Sequence, residues 1–341
     1  VPDGPLEMSL VTGRAAAGVP YEGAVPEGSA IRVLTGAILP EGVDSIVLQE
    51  DVAREGDRIA FNGPLKKGAN RRLAGEDVRS GQALLPVGHR LKPRDIGFLV
   101  ASGVSDVVVF QRLRVGVLSN GDEVVSAGEA DPKTLGPGAI YDANRPMLLA
   151  QLECWGFEAV DLGCASDSRD DLRARFDCAE ANVDAILTSG GVSTGDEDHV
   201  SALLREEGQI TSWRIAIKPG RPLALGLWKG VPVFGLPGNP VAAFVCALLF
   251  ARPALDVLAG AEWSKPIGFE APAAFEKRKK PGRAEFLRGR IGTDGRVEAF
   301  PSEGSGRISG LSWSTGLVAF DESERHVKPG DPVRFLPYSQ F

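Results

Sequence analysis

The stretch Asp184-Ala-Ile-Leu-Thr-Ser-Gly-Gly-Val-Ser-Thr-Gly-Asp-Glu-Asp198 decides the fold. Its first half is an apolar run that predicts a buried strand, and its second half is a turn with three glycines that ends in three acids. From about residue 113 to residue 257, short apolar runs of this kind alternate with helical patterns. Alternation of strand and helix predicts a largely parallel sheet covered on both faces, with ligands at the carboxyl ends of the strands.

The regions on either side of this α/β region are predicted to be rich in strands. Residues 1–74 contain short β-type runs at 9–12, 30–35, 45–49 and 58–61, separated by Gly and Pro, which indicates a small β module. Residues 75–112 are expected to link the two parts through a helix at 93–101 and a strand at 107–110. Strands return after residue 258, at 285–289, 297–300, 316–320 and 332–337.

The composition excludes several classes of protein. Hydrophobic residues make up 43% of the 341 residues and charged residues 24%, so the chain is neither disordered nor fibrous. The net charge of −7 argues against a nucleic-acid partner, and no run approaches about 18 apolar residues, so no membrane partner is expected. The 42 Gly and 24 Pro suit tight turns and loops in which the backbone approaches a ligand closely.

The cysteines and histidines point away from disulfide, zinc and triad chemistry. The four cysteines form no CxxC pair and lie within or beside apolar segments, which predicts buried, inert thiols. The three histidines have no ligand spacing, so a zinc site or a Ser/His triad is not expected. Without a charged and then apolar leader, the default expectation is a cytoplasmic protein.

Three segments have the features of anion-binding loops. The turn at 188–198 offers backbone N–H groups and hydroxyls beside carboxylates, as a phosphate bound with Mg²⁺ requires, although an acid-capped Gly/Ser turn has the same composition. Ile217-Lys-Pro-Gly-Arg-Pro222 carries two cations in a rigid loop that suits an oxyanion or is merely solvated. Gly235-Leu-Pro-Gly-Asn-Pro240 directs helix N–H groups outward, or is an ordinary helix cap.

Carboxylates are expected to converge at the same edge of the sheet. Glu123, Asp167 and Asp198 each follow a strand of the alternating region, so they are able to bind a cation or act as acid and base groups. Solvated loop acids are the alternative for each one taken singly. The basic run Lys277-Arg-Lys-Lys-Pro-Gly-Arg283 is interpreted as a solvated hairpin.

Taken together, these segments resemble the molybdopterin molybdenumtransferase family, which includes the C-terminal domain of gephyrin. The motifs occur in family order through nearly the whole chain: Arg32-Val-Leu-Thr-Gly-Ala-Ile-Leu-Pro-Glu-Gly42, Arg72-Leu-Ala-Gly-Glu-Asp77, Ser119-Asn-Gly-Asp-Glu123, Ile140-Tyr-Asp-Ala-Asn144, the turn at 188–198 and the loops at 217–222 and 235–240. The resemblance implies a multidomain α/β fold of four modules. These are an N-terminal β module (1–74), a linker and dimerisation segment (75–112), a three-layer α/β molybdopterin-binding domain (113–257) and a C-terminal β barrel (258–341).

The resemblance also implies a reaction and its residues. The reaction is Mg²⁺-dependent insertion of molybdate into adenylylated molybdopterin, with release of AMP, in a homodimer. Asp167 and Asp198 match the Mg²⁺ and adenylate carboxylates, with Glu123 nearby, and Lys218, Arg221 and Pro222 match the molybdate loop. The other implied site residues are Thr35, Arg72 and Asp77 from the partner subunit, Ser189, Gly190, Gly191, Ser193, Pro237, Asn239 and Pro240 around the substrate, and Arg288, Ser305 and Ser309 from the C-terminal module.

The sequence departs from the family pattern at a few positions. Asn120 stands where Thr is common, Arg221 where Lys is usual and Ala242 where Ser is common, and the family's Asp-Gly-Tyr-Ala segment is expected before residue 1. Two alternatives stay open beside metal insertion: molybdopterin adenylyltransferase, which uses a related α/β domain, and a non-catalytic dimeric scaffold of the same fold.

Overall fold

The computed structural model describes residues 4–128, 135–191, 199–213, 215–304 and 306–341, so Ser193, Asp198 and Ser305 lie outside the described residues. The chain divides into two compact units, Val1–Leu84 and Leu85–Phe341. The second unit holds both the α/β region and the C-terminal strands. The finer division into four modules stays a prediction.

The first unit is built on a four-stranded sheet. Its strands are β1 (Gly4–Ala15), β2 (Ser29–Val33), β3 (Ala53–Glu55) and β4 (Arg58–Gly63), in the order β2-β1-β4-β3, and a 3-10 turn at Gln49–Asp51 precedes β3. β1 pairs with β2 in parallel and with β4 antiparallel. The strand predicted at 45–49 is wrong, because this run has no partner strand and is held instead by single bonds such as that from Ile46 N–H to the Ala69 carbonyl.

The second unit begins with the predicted helix at residues 93–101. Helix α1 (Pro93–Ala101) has proline at its first position, and the Lys92 N–H donates to Asp95 Oδ2 over 2.8 Å. The strand predicted at 107–110 is wrong. Those side chains are apolar but exposed, and no strand pairs with them among the described residues. Apolar composition without a pairing partner therefore misled the prediction.

The α/β region follows the predicted alternation. Its elements are β5 (Arg114–Asn120), β6 (Val124–Val125), β7 (Ile140–Tyr141), α2 (Asn144–Cys154), β8 (Glu158–Ala165), α3 (Arg169–Glu180), β9 (Ala185–Ser189), α4 (His199–Glu206), β10 (Gln209–Trp213), β11 (Ile217–Lys218), β12 (Ala224–Trp228), β13 (Val231–Leu236), α5 (Pro240–Cys246) and α6 (Arg252–Leu258). The sheet order is β10-β12-β13-β9-β5-β8. The four strands from β13 to β8 are parallel neighbours, and the other two form an antiparallel edge.

Side chains alternate between two cores along the central strands. On β9, Ala185 and Leu187 belong to the core under α2 and α5, whereas Ile186 belongs to the core under α3 and α4. This alternation is the period of two that a strand buried on both faces requires. The region therefore has three layers, with helices on each side of the sheet.

The long helix Pro240–Leu258 runs through α5 and α6. It contains a π-helical turn at Ala247–Ala251, and by length and composition it is able to cross a membrane. Its apolar window is 61% buried, and its side chains are part of the core beneath the central sheet. A buried core helix has this composition for packing reasons, so it is weak evidence for a membrane span.

The C-terminal part forms a second, mostly antiparallel sheet. Its elements are β14 (Phe269–Pro272), β15 (Lys277–Lys279), β16 (Ala284–Ile291), β17 (Val297–Ala299), α7 (Ser309–Trp313), β18 (Gly316–Phe320), β19 (Arg325–Val327), β20 (Pro332–Pro337) and a 3-10 turn at Tyr338–Gln340. The strand order β11-β16-β18-β20-β14 is an open path, with β17 on β16 and a separate β15-β19 pair. β11 thus belongs to this sheet, although its residues come from the α/β stretch of the sequence.

Two further expectations are corrected by burial. The run that begins at Lys277 is not fully solvated, because Lys277 and Lys279 are buried while Arg278 and Lys280 between and after them are exposed. Their strand β15 pairs with β19 and turns alternate side chains inward. Of the cysteines, only Cys246 is buried, and burial raises the pKa of its thiol to about 12. Cys164 is partly buried, and Cys154 and Cys178 are exposed.

Candidate functional site

Four parallel strands end at one edge of the α/β sheet, and a turn follows each of them. β5 leads into Asn120-Gly121, β8 into Ser166-Asp167, β9 into Gly190-Gly191 and β13 into Pro237-Gly238. Because the strands β13-β9-β5-β8 are adjacent and parallel, these turns lie side by side. This edge is where doubly wound sheets bind their ligands.

A network of hydrogen bonds joins the turn after β5 to the turn after β8. Asn120 Nδ2 donates to Asp167 Oδ1 over 3.1 Å, and the Asp122 N–H donates to Asp167 Oδ2 over 3.2 Å. In return, the Asp167 N–H donates to Asp122 Oδ1 over 3.0 Å. Both oxygens of Asp167 are therefore fixed by donors, and the carboxylate stays partly exposed at the edge of the sheet.

The residue brought to Asp167 is Asp122, and no bond between Glu123 and Asp167 is found among the described residues. The Glu123 carboxylate lies over Gly121, where a Cβ would come within 2.5 Å of Glu123 Oε2. Asp198, the third expected member, lies outside the described residues. Within the described ranges, no group of three His, Cys, Asp or Glu side chains is able to hold a metal ion by itself.

The two glycines after β9 permit a close approach to Asn120. A Cβ at Gly190 would lie 2.5 Å from the Asn120 carbonyl oxygen, and a Cβ at Gly191 would lie 2.9 Å from Asn120 Nδ2. Both glycines have positive φ, at +96° and +65°. A side chain at either position would separate the turns after β5 and β9.

Asn144 ties the turn after β9 to the turn after β13. It is buried at the start of α2, and its Nδ2 donates to Ser189 Oγ over 2.5 Å and to the Gly238 carbonyl over 2.6 Å. The sequence motif at 140–144 contained this residue, but no role was predicted for it. Its position after a short polar run, directly at a helix start, was the only local signal.

Several buried oxygens at this edge have no hydrogen-bond partner among the described residues. Four such atoms come from the ends of β5 and β9 and from the start of α2: Ser119 Oγ, Asn120 Oδ1, Asn144 Oδ1 and Thr188 Oγ1. A buried polar atom without a partner costs free energy, so most are paired in folded proteins. Their clustering indicates a site for a polar ligand.

The last turn at the edge starts helix α5. The Asn239 side chain accepts hydrogen bonds from the N–H groups of Val241 and Ala242, over 3.1 and 3.3 Å, and Pro240 occupies the first helical position. This is the predicted cap. Pro237 is buried, whereas Asn239 and Pro240 are partly exposed.

A second cluster of polar groups surrounds Lys218. Lys218 Nζ contacts Glu285 Oε1 at 2.5 Å and Glu303 Oε2 at 2.8 Å, and Lys277 Nζ contacts Glu285 Oε2 at 3.2 Å and also binds Glu303 Oε1. Burial opposes the charge of Lys218, but the hydrogen bonds that its ammonium group donates to the two carboxylates outweigh burial and raise its pKa. We name these four residues the charged corner.

The other residues expected beside Lys218 differ in their availability. Arg221 is exposed, with no ion pair or hydrogen bond from its side chain in the described ranges, and Pro222 is partly exposed. Arg288 is buried, and its guanidinium donates to the carbonyls of Ser302, Gly304 and Arg307. It therefore fixes the backbone at residues 302, 304 and 307. Ser309 is exposed at the start of α7.

Three of the expected residues lie in the first unit. Thr35 is exposed in a turn after β2, and Arg72 and Asp77 are exposed in the irregular segment after β4. Between Arg72 and Asp77 in sequence, the Leu73 N–H donates a hydrogen bond to Glu76 Oε2 over 2.7 Å. These three residues are accessible, and their part in a site stays a prediction.

Similarity to known proteins extends over both units. Three family profiles match in order: the MoeA N-terminal region (domain I and II) at residues 2–103, a probable molybdopterin binding domain at residues 116–257 and the MoeA C-terminal region (domain IV) at residues 270–338. A molybdopterin molybdenumtransferase of Haemophilus influenzae is 37% identical, over 98% of this chain and 84% of the relative. The chain belongs to the molybdopterin molybdenumtransferase family. A molybdopterin molybdenumtransferase of Synechococcus elongatus is 34% identical, over 97% of this chain and 82% of the relative.

A solved structure of the same family supports the multidomain α/β fold. The molybdopterin biosynthesis moeA protein from Pyrococcus horikoshii OT3 has a TM-score of 0.80 at 28% identity, over 98% of this chain and 82% of that chain. The family resemblance expected from the motifs is thereby confirmed. The closed C-terminal barrel stays a prediction, since the described strands form an open path.

Proposed function

We propose that this protein is a molybdopterin molybdenumtransferase, which inserts molybdate into adenylylated molybdopterin with release of AMP. The observation that carries the proposal is the match, over nearly the whole chain, to relatives that bear this enzyme name. Adenylyl transfer to molybdopterin is a weaker candidate, because the flanking N-terminal and C-terminal regions also match this family.

The sheet edge is the proposed site for adenylylated molybdopterin. A pterin and a phosphate offer both donors and acceptors, which suit the unpartnered oxygens of Ser119, Asn120 and Thr188. Gly190 and Gly191 allow a ligand to approach the backbone there. The other proposed contacts at this edge are Ser189, Ser193, Pro237, Asn239 and Pro240.

Mg²⁺ is proposed to bind at Asp167, together with Asp198. Mg²⁺ prefers oxygen ligands and usually binds through one or two carboxylates plus substrate phosphates and water. Asp167 fits this use, because its carboxylate is held by Asn120 and Asp122 while part of it faces solvent. When bound, the cation would offset charge on the phosphate that leaves. Glu123 remains a proposed neighbour of this group.

The charged corner and the loop at residues 217–222 are the proposed site for molybdate. Lys218 and Arg221 provide cations, Pro222 limits the loop conformations, and Arg288 holds the neighbouring backbone at Ser302 and Gly304. Ser305 and Ser309 are further proposed contacts. In the proposed homodimer, Thr35, Arg72 and Asp77 would come to this cleft from the partner subunit.

The decisive experiment measures AMP release from adenylylated molybdopterin with and without molybdate and Mg²⁺. We expect release that requires both, and formation of molybdenum cofactor in equal amount. Adenylylation of molybdopterin from ATP would support the adenylyltransferase instead. If the protein showed neither activity, the non-catalytic dimeric scaffold would be the remaining alternative.

A matched pair of variants then tests the carboxylate. Asp167→Asn should lower Mg²⁺-dependent turnover at least 100-fold, about the loss seen when an electrostatic group of a transition state is removed. Asp170→Asn carries the same charge change on an exposed side chain nearby, and should turn over normally. Equal activity of the two variants would remove Asp167 from the mechanism.

A further inference from the structure

The charged corner contains two lysines and two carboxylates that share their bonds. One oxygen of Glu303 binds Lys218 at 2.8 Å and the other binds Lys277, so the carboxylate bridges the two ammonium groups. Glu285 bridges the same pair from the other side. A tetrahedral oxyanion could likewise accept from Lys218 with one oxygen and from Lys277 with another, as the two oxygens of Glu303 do.

The two carboxylates differ in how firmly they are held. Glu285 lies in β16 directly opposite Lys218 in the parallel ladder, and its side chain is only 6% exposed. Glu303 lies between β17 and α7, and its side chain is 48% exposed. Glu303 is therefore the member of the cluster that is able to move into solvent at low cost.

The backbone around Glu303 is held independently of its side chain. The buried Arg288 guanidinium binds the carbonyls of Ser302 and Gly304, the two neighbours of Glu303 in sequence, and that of Arg307 further along the loop. Removal of the carboxylate from the lysines thus requires a rotation of one side chain and no opening of the loop.

The charges of the cluster set the consequence of such a rotation. Two lysines and two carboxylates cancel, so the corner is neutral while Glu303 is in place. Without Glu303, one positive charge is left over, and one face of Lys218 and Lys277 is open. Lys277 is 7% exposed and would then be a buried cation that an anion from solvent is able to satisfy.

We infer that Glu303 occupies the place of the oxyanion substrate on Lys218 and Lys277, and that molybdate must displace it to bind. The inference rests on the proposed function, which makes Lys218 a molybdate ligand, and it adds Lys277 as a second cation of that site. Glu303 thereby sets the affinity for the oxyanion, because part of the binding free energy is spent on its displacement.

The test compares three full-length proteins by titration calorimetry with sodium molybdate and sodium tungstate. Glu303→Gln removes the internal anion and should bind both oxyanions about two- to threefold more tightly, as expected when one exposed ion pair no longer has to be broken. Glu298→Gln is the control. Glu298 is a half-exposed partner of Arg290 on the same sheet, so its replacement changes the net charge equally without touching the corner.

The outcomes separate displacement from simple charge effects. Equal tightening in both variants would assign the effect to net charge and overturn the inference. Weaker binding in Glu303→Gln would show that Glu303 positions the lysines, and would also overturn it. Glu303→Ala should give the same tightening as Glu303→Gln, and urea unfolding confirms that each variant is folded.

The proposed function has its own, separate failure. Oxyanion binding that tightens in Glu303→Gln without any molybdate-dependent AMP release would support the displacement and contradict the enzyme assignment. Molybdate-dependent AMP release together with unchanged oxyanion affinity in Glu303→Gln would support the enzyme assignment and contradict the displacement of Glu303. Absence of oxyanion binding in all three proteins would contradict the inference.

Discussion

The sheet edge and the charged corner recognise ligands through opposite arrangements. At the sheet edge, amides, hydroxyls and the two carboxylates of Asp122 and Asp167 form the framework, and four buried oxygens have no partner among the described residues. In the charged corner, every lysine and carboxylate already has two partners. A ligand at the edge would complete missing bonds, whereas a ligand at the corner would exchange an internal partner for itself.

The difference predicts different sensitivities. The edge depends on shape, since glycines and one amide bring the turns together. The corner depends on charge balance, since each group is stabilised by its opposite. Four variants test this contrast through the free energy of unfolding, measured in urea. All five tryptophans lie after residue 84, so tryptophan fluorescence reports on the second unit, which contains both regions.

The largest effect is expected for Glu285→Ala. The change removes a buried carboxylate from two lysines, one of them buried, and should lower the free energy of unfolding by about 3 kcal/mol. Glu298→Ala, on the same sheet but half exposed, should cost less than about 1 kcal/mol. Equal costs would show that the corner contributes no more than an ordinary surface pair.

At the sheet edge, Gly190→Ala tests the close approach of two turns. A Cβ there would meet the Asn120 carbonyl, whereas Gly230 has nearly the same φ, +94°, and nothing within 4 Å. Both alanine variants bear the cost of positive φ, so the difference isolates the contact. We expect Gly190→Ala to be less stable than Gly230→Ala by about 2 kcal/mol. If the two variants had similar free energies of unfolding, Gly190 would not be in close contact with Asn120.

Asn144→Ala removes the bonds to Ser189 and Gly238 and should cost about 1 kcal/mol. The cost is moderate because the unpartnered Oδ1 of Asn144 is removed at the same time. Asn182→Ala is the matched control, since that amide binds one carbonyl at an exposed position. If Asn182→Ala lost as much stability as Asn144→Ala, the proposed role of Asn144 in joining the turns after β9 and β13 would be refuted.

The smallest effect is a pH dependence at Glu303. Burial favours the neutral acid, but bonds from Lys218 and Lys277 outweigh it and hold the pKa of Glu303 below its ordinary value of 4.5. A lowered pKa in the folded state stabilises the protein above pH 4.5, and this contribution is lost as the pH falls through the folded pKa. The stability difference between wild type and Glu303→Gln, about 0.5 kcal/mol at pH 7, should therefore shrink in acid. A difference that grows in acid would contradict the assignment.

Sequence patterns predicted the α/β region well because its strands have two buried faces. Continuous apolar runs, as in β5 and β9, leave few other interpretations, and the helix cap at Asn239 is a local signal. The same reasoning failed at 45–49 and 107–110. Those runs are apolar too, but strand formation needs a partner, and partners are a property of the tertiary structure.

The candidate site shows where local patterns end. The strand-end positions of Asp167 and Ser189 follow from the sequence, while the preference for Asp122 over its neighbour Glu123 depends on the geometry of one turn. The bond between Lys218 and Glu303 joins residues 85 apart in sequence. No local pattern predicts such a pair, and for the same reason the buried side of the basic run at Lys277 was missed.

The position of β11 gives the second unit a property that domain boundaries drawn on a sequence do not convey. Its two residues are supplied by the α/β stretch, yet they complete the edge of the C-terminal sheet, and Leu317 and Leu336 of that sheet pack into the α/β core. A chain cut near residue 258 would leave β11 without its partner strand β16, and it would expose the part of the α/β core that Leu317 and Leu336 cover. The C-terminal part is thus not a detachable accessory: the two parts are expected to fold and unfold as one cooperative block.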